Sequence, residues 1–281
     1  MATIALDLVN TDKYPFTDPG GVAWWEIVSR TRGELRDVGC SVLRDFIRPE
    51  TLEHLRAECA AVAPHAYTKV ERVNAYNIAL DKPLPDDHPG RVIMERGNAF
   101  VARDQFAADA AIQRLYTNPV FQRFVADCFG QPELHELADP LAALTLNVIA
   151  PGRAHPWHFD TNEFTVSLLT QAADGGGSFE YCPNIRSATS ENLDAVAEVL
   201  ADRSDLVRRL DLRPGDLQLF LGRYSLHRVS PVTGPVARHT AIFAYSERVG
   251  VIGSPERTRQ LFGRVLPEHL AVAVRGDDLL D

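Results

Sequence analysis

The chain has 281 residues, of which 45% are hydrophobic, enough for a substantial core, and 24% are charged. A net charge of −9 with a pI near 5.5 argues against a nucleic-acid or anionic-membrane surface. Cys40, Cys59, Cys128 and Cys182 form no Cys-x-x-Cys pair, which excludes a zinc knuckle or a dithiol motif. With no signal peptide and no long apolar run, the expectation is a cytoplasmic protein with reduced thiols acting on a small molecule, with a homodimer left open.

In chain order, residues 1–20 read as an irregular arm. The pattern from Val22 to Val38 predicts a helix stopped by Gly39, then a short strand over Ser41 to Phe46. Pro49 opens a second helix with Leu52, Leu55, Cys59 and Val62 at helical spacing, and Trp24 and Trp25 are read as packing residues. Periodicity fades between His65 and Phe106. There the run from Asp81 to Gly90 is a loop by composition, either a linker or a lid over a site. Helical patterns resume from Phe106 to Tyr116 and from the Asn118-Pro119 cap to Gly130.

The first clear strand runs from Ala143 to Ala150, with Leu144, Leu146 and Val148 alternating against Thr145, Asn147 and Ile149. A second strand spans Phe164 to Leu169, and the Asp174-Gly175-Gly176-Gly177 turn predicts a hairpin with Ser178 to Tyr181. The segment from Ser190 to Leu210 predicts an amphipathic helix outside a barrel, with closing strands at Asp216 to Leu221 and Arg238 to Tyr245. The segment from Arg257 to Arg264 reads as a terminal helix or covering loop with a solvated charged face. No repeat or linker divides the chain, so the expectation is one domain over 1–281: helical support and lid over 1–130, β-rich core over 135–265.

Chemistry concentrates around Trp157-His158-Phe159-Asp160-Thr161-Asn162-Glu163-Phe164. In an extended segment His158 and Asp160 share a face while Phe159 points into the opposite layer, so two metal ligands come paired. His227, in the strand-like context after Arg213-Pro214-Gly215-Asp216, is the candidate third ligand. Two histidines and one carboxylate form a facial triad that leaves open positions on a metal. Turn residues from Ser230 to Val236 predict that the chain reverses near Thr233 and pairs antiparallel, which would bring Arg238 and His239 alongside His227. An arginine there can meet a carboxylate with its planar fork; Arg228 is the rival. His155 is either a contact beside the ligands or a surface loop residue, and Asn147 either a donor to a bound cosubstrate or a ladder residue.

These residues resemble the Fe(II)/2-oxoglutarate-dependent dioxygenases on the double-stranded β-helix, or jelly-roll, fold. Over Trp157 to Phe164, Gly176 to Arg186 and Gly222 to Glu247 the chain is similar to the carrier-free lysine halogenases and their hydroxylase relatives. The resemblance implies an α+β fold with a mainly β core, iron held by His158, Asp160 and His227, and 2-oxoglutarate bound by Arg238 with Asn147 and Thr165 nearby. O2 is the third reactant. Halogenases of that group have glycine at the carboxylate position, so Asp160 implies hydroxylation of an unactivated C–H bond, with desaturation open. The implied substrate is a free basic amino acid, with Arg96 or Arg91 for its carboxylate, Asp139, Glu163 and Glu180 for its ammonium groups, and His155 as a further contact. A natural-product intermediate is the alternative substrate. A cupin-like hydrolase or isomerase, or a binding protein, is the alternative class, and it gives no reason for Arg238.

Overall fold

The computed structural model describes residues 7–162 and 164–271. Helix α1, Val22–Val38, buries Trp24, Val28, Thr31 and Leu35, one stripe at helical spacing, and Gly39 ends it in the left-handed region at φ 66°. Trp24 packs among Phe16 and Phe124, whereas Trp25 is 40% exposed under Arg32. Strand β1, Cys40–Leu43, leads to α2, Pro49–Val62, with proline in its first turn. The stretch of weak periodicity holds two short strands, β2, Glu71–Val73, and β3, Met94–Arg96, paired only with each other, and then β4, Ala99–Val101. Helix α3, Ala111–Tyr116, precedes α4, Pro119–Phe129, whose Asn118 cap accepts from the backbone of Val120 and Phe121 and whose end is Gly130 at φ 73°.

The remaining strands are β5, His135–Glu136, β6, Leu144–Ile149, β7, His155–His158, β8, Thr165–Gln171, β9, Phe179–Cys182, β10, Arg208–Leu210, β11, Leu217–Phe220, β12, Leu226–Val229, and β13, Arg238–Ser246. Helix α5, Leu193–Leu200, precedes β10, and α6, Pro255–Phe262, follows β13. A large antiparallel sheet has the order β1-β11-β8-β13-β6-β4, with β5 on the end of β13, and a small sheet has the order β10-β9-β12-β7. This is the double-stranded β-helix. Alternation on the large sheet sends Leu146, Val166, Leu168, Leu219 and Phe243 into one cluster with α1 to α4. Its other face meets the small sheet through Ile149 and Phe220 against Phe179, Tyr181 and Val229. On the outside of the small sheet, Trp157, Phe159, Cys182 and Leu226 pack with Val196 and Val199 of α5.

Two connections differ from the sequence expectation. The glycine turn over 174–177 carries the chain from β8 in the large sheet to β9 in the small one, so it closes no hairpin, and the turn near Thr233 carries β12 back to β13 in the large sheet. The two crossovers lie against each other: Gly177 N–H donates to Pro231 O at 3.1 Å and Thr233 N–H to Gly175 O at 2.9 Å. Gly176, at φ 65°, leaves no room for a side chain, since a Cβ there would stand 2.0 Å from Pro231 O. The glycines serve this close approach. The expected helix over 190–210 is also shorter, since Arg208–Leu210 is an edge strand pairing with β9.

Candidate metal centre

Strands β7 and β12 are neighbours in the small sheet, and their register sets His227 directly opposite His158. Each ring is anchored by its inner nitrogen: His158 Nδ1 lies 2.8 Å from Pro156 O and His227 Nδ1 lies 3.0 Å from Ser225 O. A carbonyl can only accept, so the Nδ1 atoms carry the protons and both Nε2 lone pairs are free for a metal. Asp160 Oδ1 stands 3.7 Å from His158 Nε2 and 3.5 Å from His227 Nε2. One ligand atom from each residue falls within 4.8 Å of the others, an arrangement with room for one ion.

The bend between the paired ligands is fixed from behind. Phe159 donates its N–H to Ala75 O at 3.0 Å, and its ring lies under the Arg186 guanidinium at 3.8 Å and beside Tyr76 at 5.5 Å. Asp160 donates its N–H to Gly222 O at 3.1 Å, and its Oδ2 accepts from the Thr165 hydroxyl at 2.6 Å. Gly222 touches the carboxylate: a Cβ there would lie 1.9 Å from Asp160 Oδ2. The sequence placed a glycine before the distal histidine, but its role is close approach to a side chain from the bend after β7, which no local turn signal reports.

Electrostatics favour ligand protonation states. Burial, then the neighbouring His227, pushes His158 down to about 3, so the ring is neutral at physiological pH. Burial alone would raise the Asp160 pKa; the His227 charge and hydrogen bond, His158 and the Thr165 hydroxyl reverse that, and the carboxyl is held below its ordinary range as a carboxylate. His155 stacks on His158 with ring centroids 3.8 Å apart, and burial, then His158, then Arg96, drive its pKa well below 6.5.

Arg238 sits on β13 in the opposite sheet, paired with Ile149, and does not lie beside His227 on an antiparallel neighbour as expected. The reason is the crossover near Thr233. Cross-strand partners share a face, so Arg238 points with Ile149 into the space between the sheets. It is buried, donates to the Thr240 hydroxyl, and has no carboxylate partner among the described residues; burial brings its pKa down to about 10. Asn147 faces the same interior, its Oδ1 accepting from Asn98 at 2.9 Å. Arg228, the rival, points outward, paired with Glu180 at 2.6 Å and lying over the Trp157 ring. Thr165 is bonded to the Asp160 carboxylate.

The expected substrate contacts separate. Arg96 is buried and pairs with Glu71 at 2.6 Å, while its Nε and Nη1 have no hydrogen-bond partner among the described residues, and its charge reaches His155. Arg91 instead lies on the surface of the 81–90 loop, paired with Asp86. Asp139 is fully enclosed: it accepts from the N–H groups of Leu141, Ala142 and Gly253 and lies 3.2 Å from His269 Nε2, so it ties the C-terminal segment to the sheet. Glu180 is spent on Arg228 outside the barrel. Glu163 lies outside the described residues. The terminal helix expected near Arg257 is α6, but its charged face is not simply solvated: Gln260 accepts from Arg96 through its main-chain oxygen at 3.4 Å and from Arg257 through Oε1 at 2.6 Å. Arg257 also acts on His155 and His158, so this helix forms part of the site wall rather than a solvated face.

A model of one protein family, halogenase D, matches residues 24–252. The chain belongs to the halogenase D family. Like the 2-oxoglutarate/Fe(II) oxygenases whose fold it shares, this halogenase D family member is an Fe(II)/2-oxoglutarate-dependent oxygenase that uses O2. Among solved structures, an oxidoreductase of the 2OG-Fe(II) oxygenase family from Burkholderia pseudomallei superposes with a TM-score of 0.52 at 17% identity, covering 83% of this chain and 94% of that one. EctD from S. alaskensis gives 0.53 at 17% identity, covering 78% and 76%, and the non-heme alpha ketoglutarate dependent epimerase SnoN from nogalamycin biosynthesis gives 0.52 at 13%, covering 79% and 83%. No curated protein sequence matches the chain. Among the described residues of this halogenase D family member, no helix is long and apolar enough to cross a membrane.

Proposed function

We propose that His158, Asp160 and His227 hold Fe(II), that Arg238 binds the far carboxylate of 2-oxoglutarate, and that the enzyme hydroxylates an unactivated C–H bond. One observation carries the choice of hydroxylation over halogenation: a carboxylate, Asp160, stands 3.5 Å and 3.7 Å from the two Nε2 atoms, where a halogenase of the resembling group has glycine. The donor set fits the ion, since both rings are oriented by their Nδ1 contacts, the His158 ring is neutral and the Asp160 carboxyl is ionised. Iron with 2-oxoglutarate and O2 supplies the oxidant; the chain supplies ligand geometry, a shielded pocket and substrate aim. Arg238, a buried cation with no carboxylate partner among the described residues, gives the cosubstrate a charge-assisted partner, with Asn147 and Thr240 beside it.

The substrate reading is a free basic amino acid, its carboxylate on the two unpartnered nitrogens of Arg96 and its body against His155. Asp139 and Glu180 are engaged in other pairs, which favours a second reading in which the substrate is a carboxylate recognised chiefly by Arg96, without a diamine. The chain acts as one domain on this reading. Succinate formation from 2-oxoglutarate with Fe(II) under air should rise above background with lysine, ornithine or arginine and fall when Arg96 is replaced by glutamine. Stimulation by a non-amino carboxylate alone selects the second reading. His227→Ala should abolish turnover and lower Mn(II) affinity with the fold intact. Unchanged affinity in both His158→Ala and His227→Ala would end the triad assignment.

A further inference from the structure

The two oxygens of Asp160 have different surroundings. Oδ1 faces both Nε2 atoms, whereas Oδ2 accepts from Thr165 Oγ1 at 2.6 Å and rests on the bare Cα of Gly222. A carboxylate can give a metal one oxygen or both. An octahedral ion holding two imidazoles, one carboxylate oxygen and a two-toothed 2-oxo acid has one position left; a second carboxylate oxygen removes it or competes with the 2-oxo acid. We infer that Thr165 is a positioning residue that confines Asp160 to one-oxygen ligation, and that glycine at 222 provides the space in which the idle oxygen is parked. Thr165 comes from β8 of the large sheet and Gly222 from the end of β11, and the two strands pair with Phe220 opposite Thr165. The restraint is thus built by the sheet facing the histidines, so ligand geometry reports how the two sheets are spaced.

The inference rests on the proposed metal centre and has its own test. Mn(II) and then 2-oxoglutarate are titrated calorimetrically, without O2, into wild type, Thr165→Val and Thr165→Ser. Thr165→Val keeps the shape and removes the hydroxyl, freeing Oδ2 to turn to the metal. The expected result is at least tenfold weaker 2-oxoglutarate binding to the Mn(II)-loaded valine variant, Mn(II) affinity within threefold of wild type, and wild-type behaviour in the serine variant. The visible absorption of the anaerobic Fe(II)·2-oxoglutarate complex should weaken in parallel in the valine variant alone. Wild-type 2-oxoglutarate affinity in Thr165→Val, a tenfold loss of Mn(II) affinity there, or an equal defect in Thr165→Ser overturns the inference while leaving the triad standing. If His158→Ala leaves Mn(II) binding unchanged, the triad itself fails. Gly222→Ala, checked for folding by circular dichroism, should lose at least tenfold in Mn(II) affinity, because its methyl takes the place of Oδ2; wild-type affinity in that folded variant also overturns the assignment.

Discussion

The two faces of the large sheet are made by alternate residues of the same strands, yet they do opposite work. Toward the helices stand Leu144, Leu146, Val166, Leu168, Leu217, Leu219, Ala241 and Phe243, all fully buried and apolar. Toward the small sheet stand Thr145, Asn147, Ser167, Gln218, Arg238 and Thr240, polar and buried slightly less completely. Burial of apolar surface stabilises the first set, while the second satisfies its polar atoms only in part through internal bonds such as Ser167 to Gln218 at 3.0 Å. Stability is concentrated on one face so that the other can be kept for a ligand.

Replacing residues one face at a time would break this contrast if it is wrong. The largest effect is expected from Phe243→Ala, which empties a site walled by Phe121 and Tyr116. It should cost about 3–5 kcal/mol of unfolding free energy by denaturant titration and leave 2-oxoglutarate affinity unchanged in the folded protein. Arg238→Gln should do the reverse, weakening 2-oxoglutarate binding by about 2 kcal/mol, with a smaller change in stability because a buried unpaired cation is removed. A loss of cosubstrate binding in Phe243→Ala as large as in Arg238→Gln would mean the faces are not separable.

A third expectation sharpens the comparison through pH. Folded metal-free protein keeps His158 neutral down to about 3, while the unfolded chain takes up the proton near 6.5. Stability is therefore full above about 6.5 and declines as pH falls toward 3, by up to about 1.4 kcal/mol per pH unit for each such ring. His155 shifts in the same direction. Thermal melts of the metal-free protein between pH 7.5 and 5 should show this slope, Phe243→Ala should retain it, and His158→Asn should reduce it. The smallest effect belongs to Arg228→Gln: the partly exposed pair with Glu180 should be worth under about 1 kcal/mol, and 2-oxoglutarate affinity should not move. A large loss there would restore Arg228 as the cosubstrate arginine.

What the sequence made legible follows from what is local. Gly39 and Gly130 as helix stops, the Asn118-Pro119 cap and the alternation over Leu144–Ile149 are short-range signals, and the structure has them. The pairing of His158 with Asp160 is local too. The partnership of two crossovers is not: turn residues at 174–177 and 231–234 look alike whether a strand returns to its own sheet or leaves it, so the hairpin and the Thr233 reversal were misread. Arg238 was singled out although the neighbour assigned to it was wrong. Asp139 and Glu180 were read as ligand groups because charge near a strand carries no sign of which face it will occupy; only His269 and Arg228, distant in sequence, reveal their occupations.

The tether at Asp139 has a consequence for how this part of the wall can be exchanged. Helix α6 is held chiefly by discrete polar and edge contacts: Gly253 and His269 flanking it on Asp139, Arg264 just past its end on Asp104, and Gly263 against the Tyr67 ring. It contributes Arg257 and Gln260 to the site wall, and Phe262 with the partly buried Leu261 to a small apolar cluster. Such a piece is a cassette: the segment between the two Asp139 anchors can be exchanged for another of equal span without rebuilding the two sheets behind it.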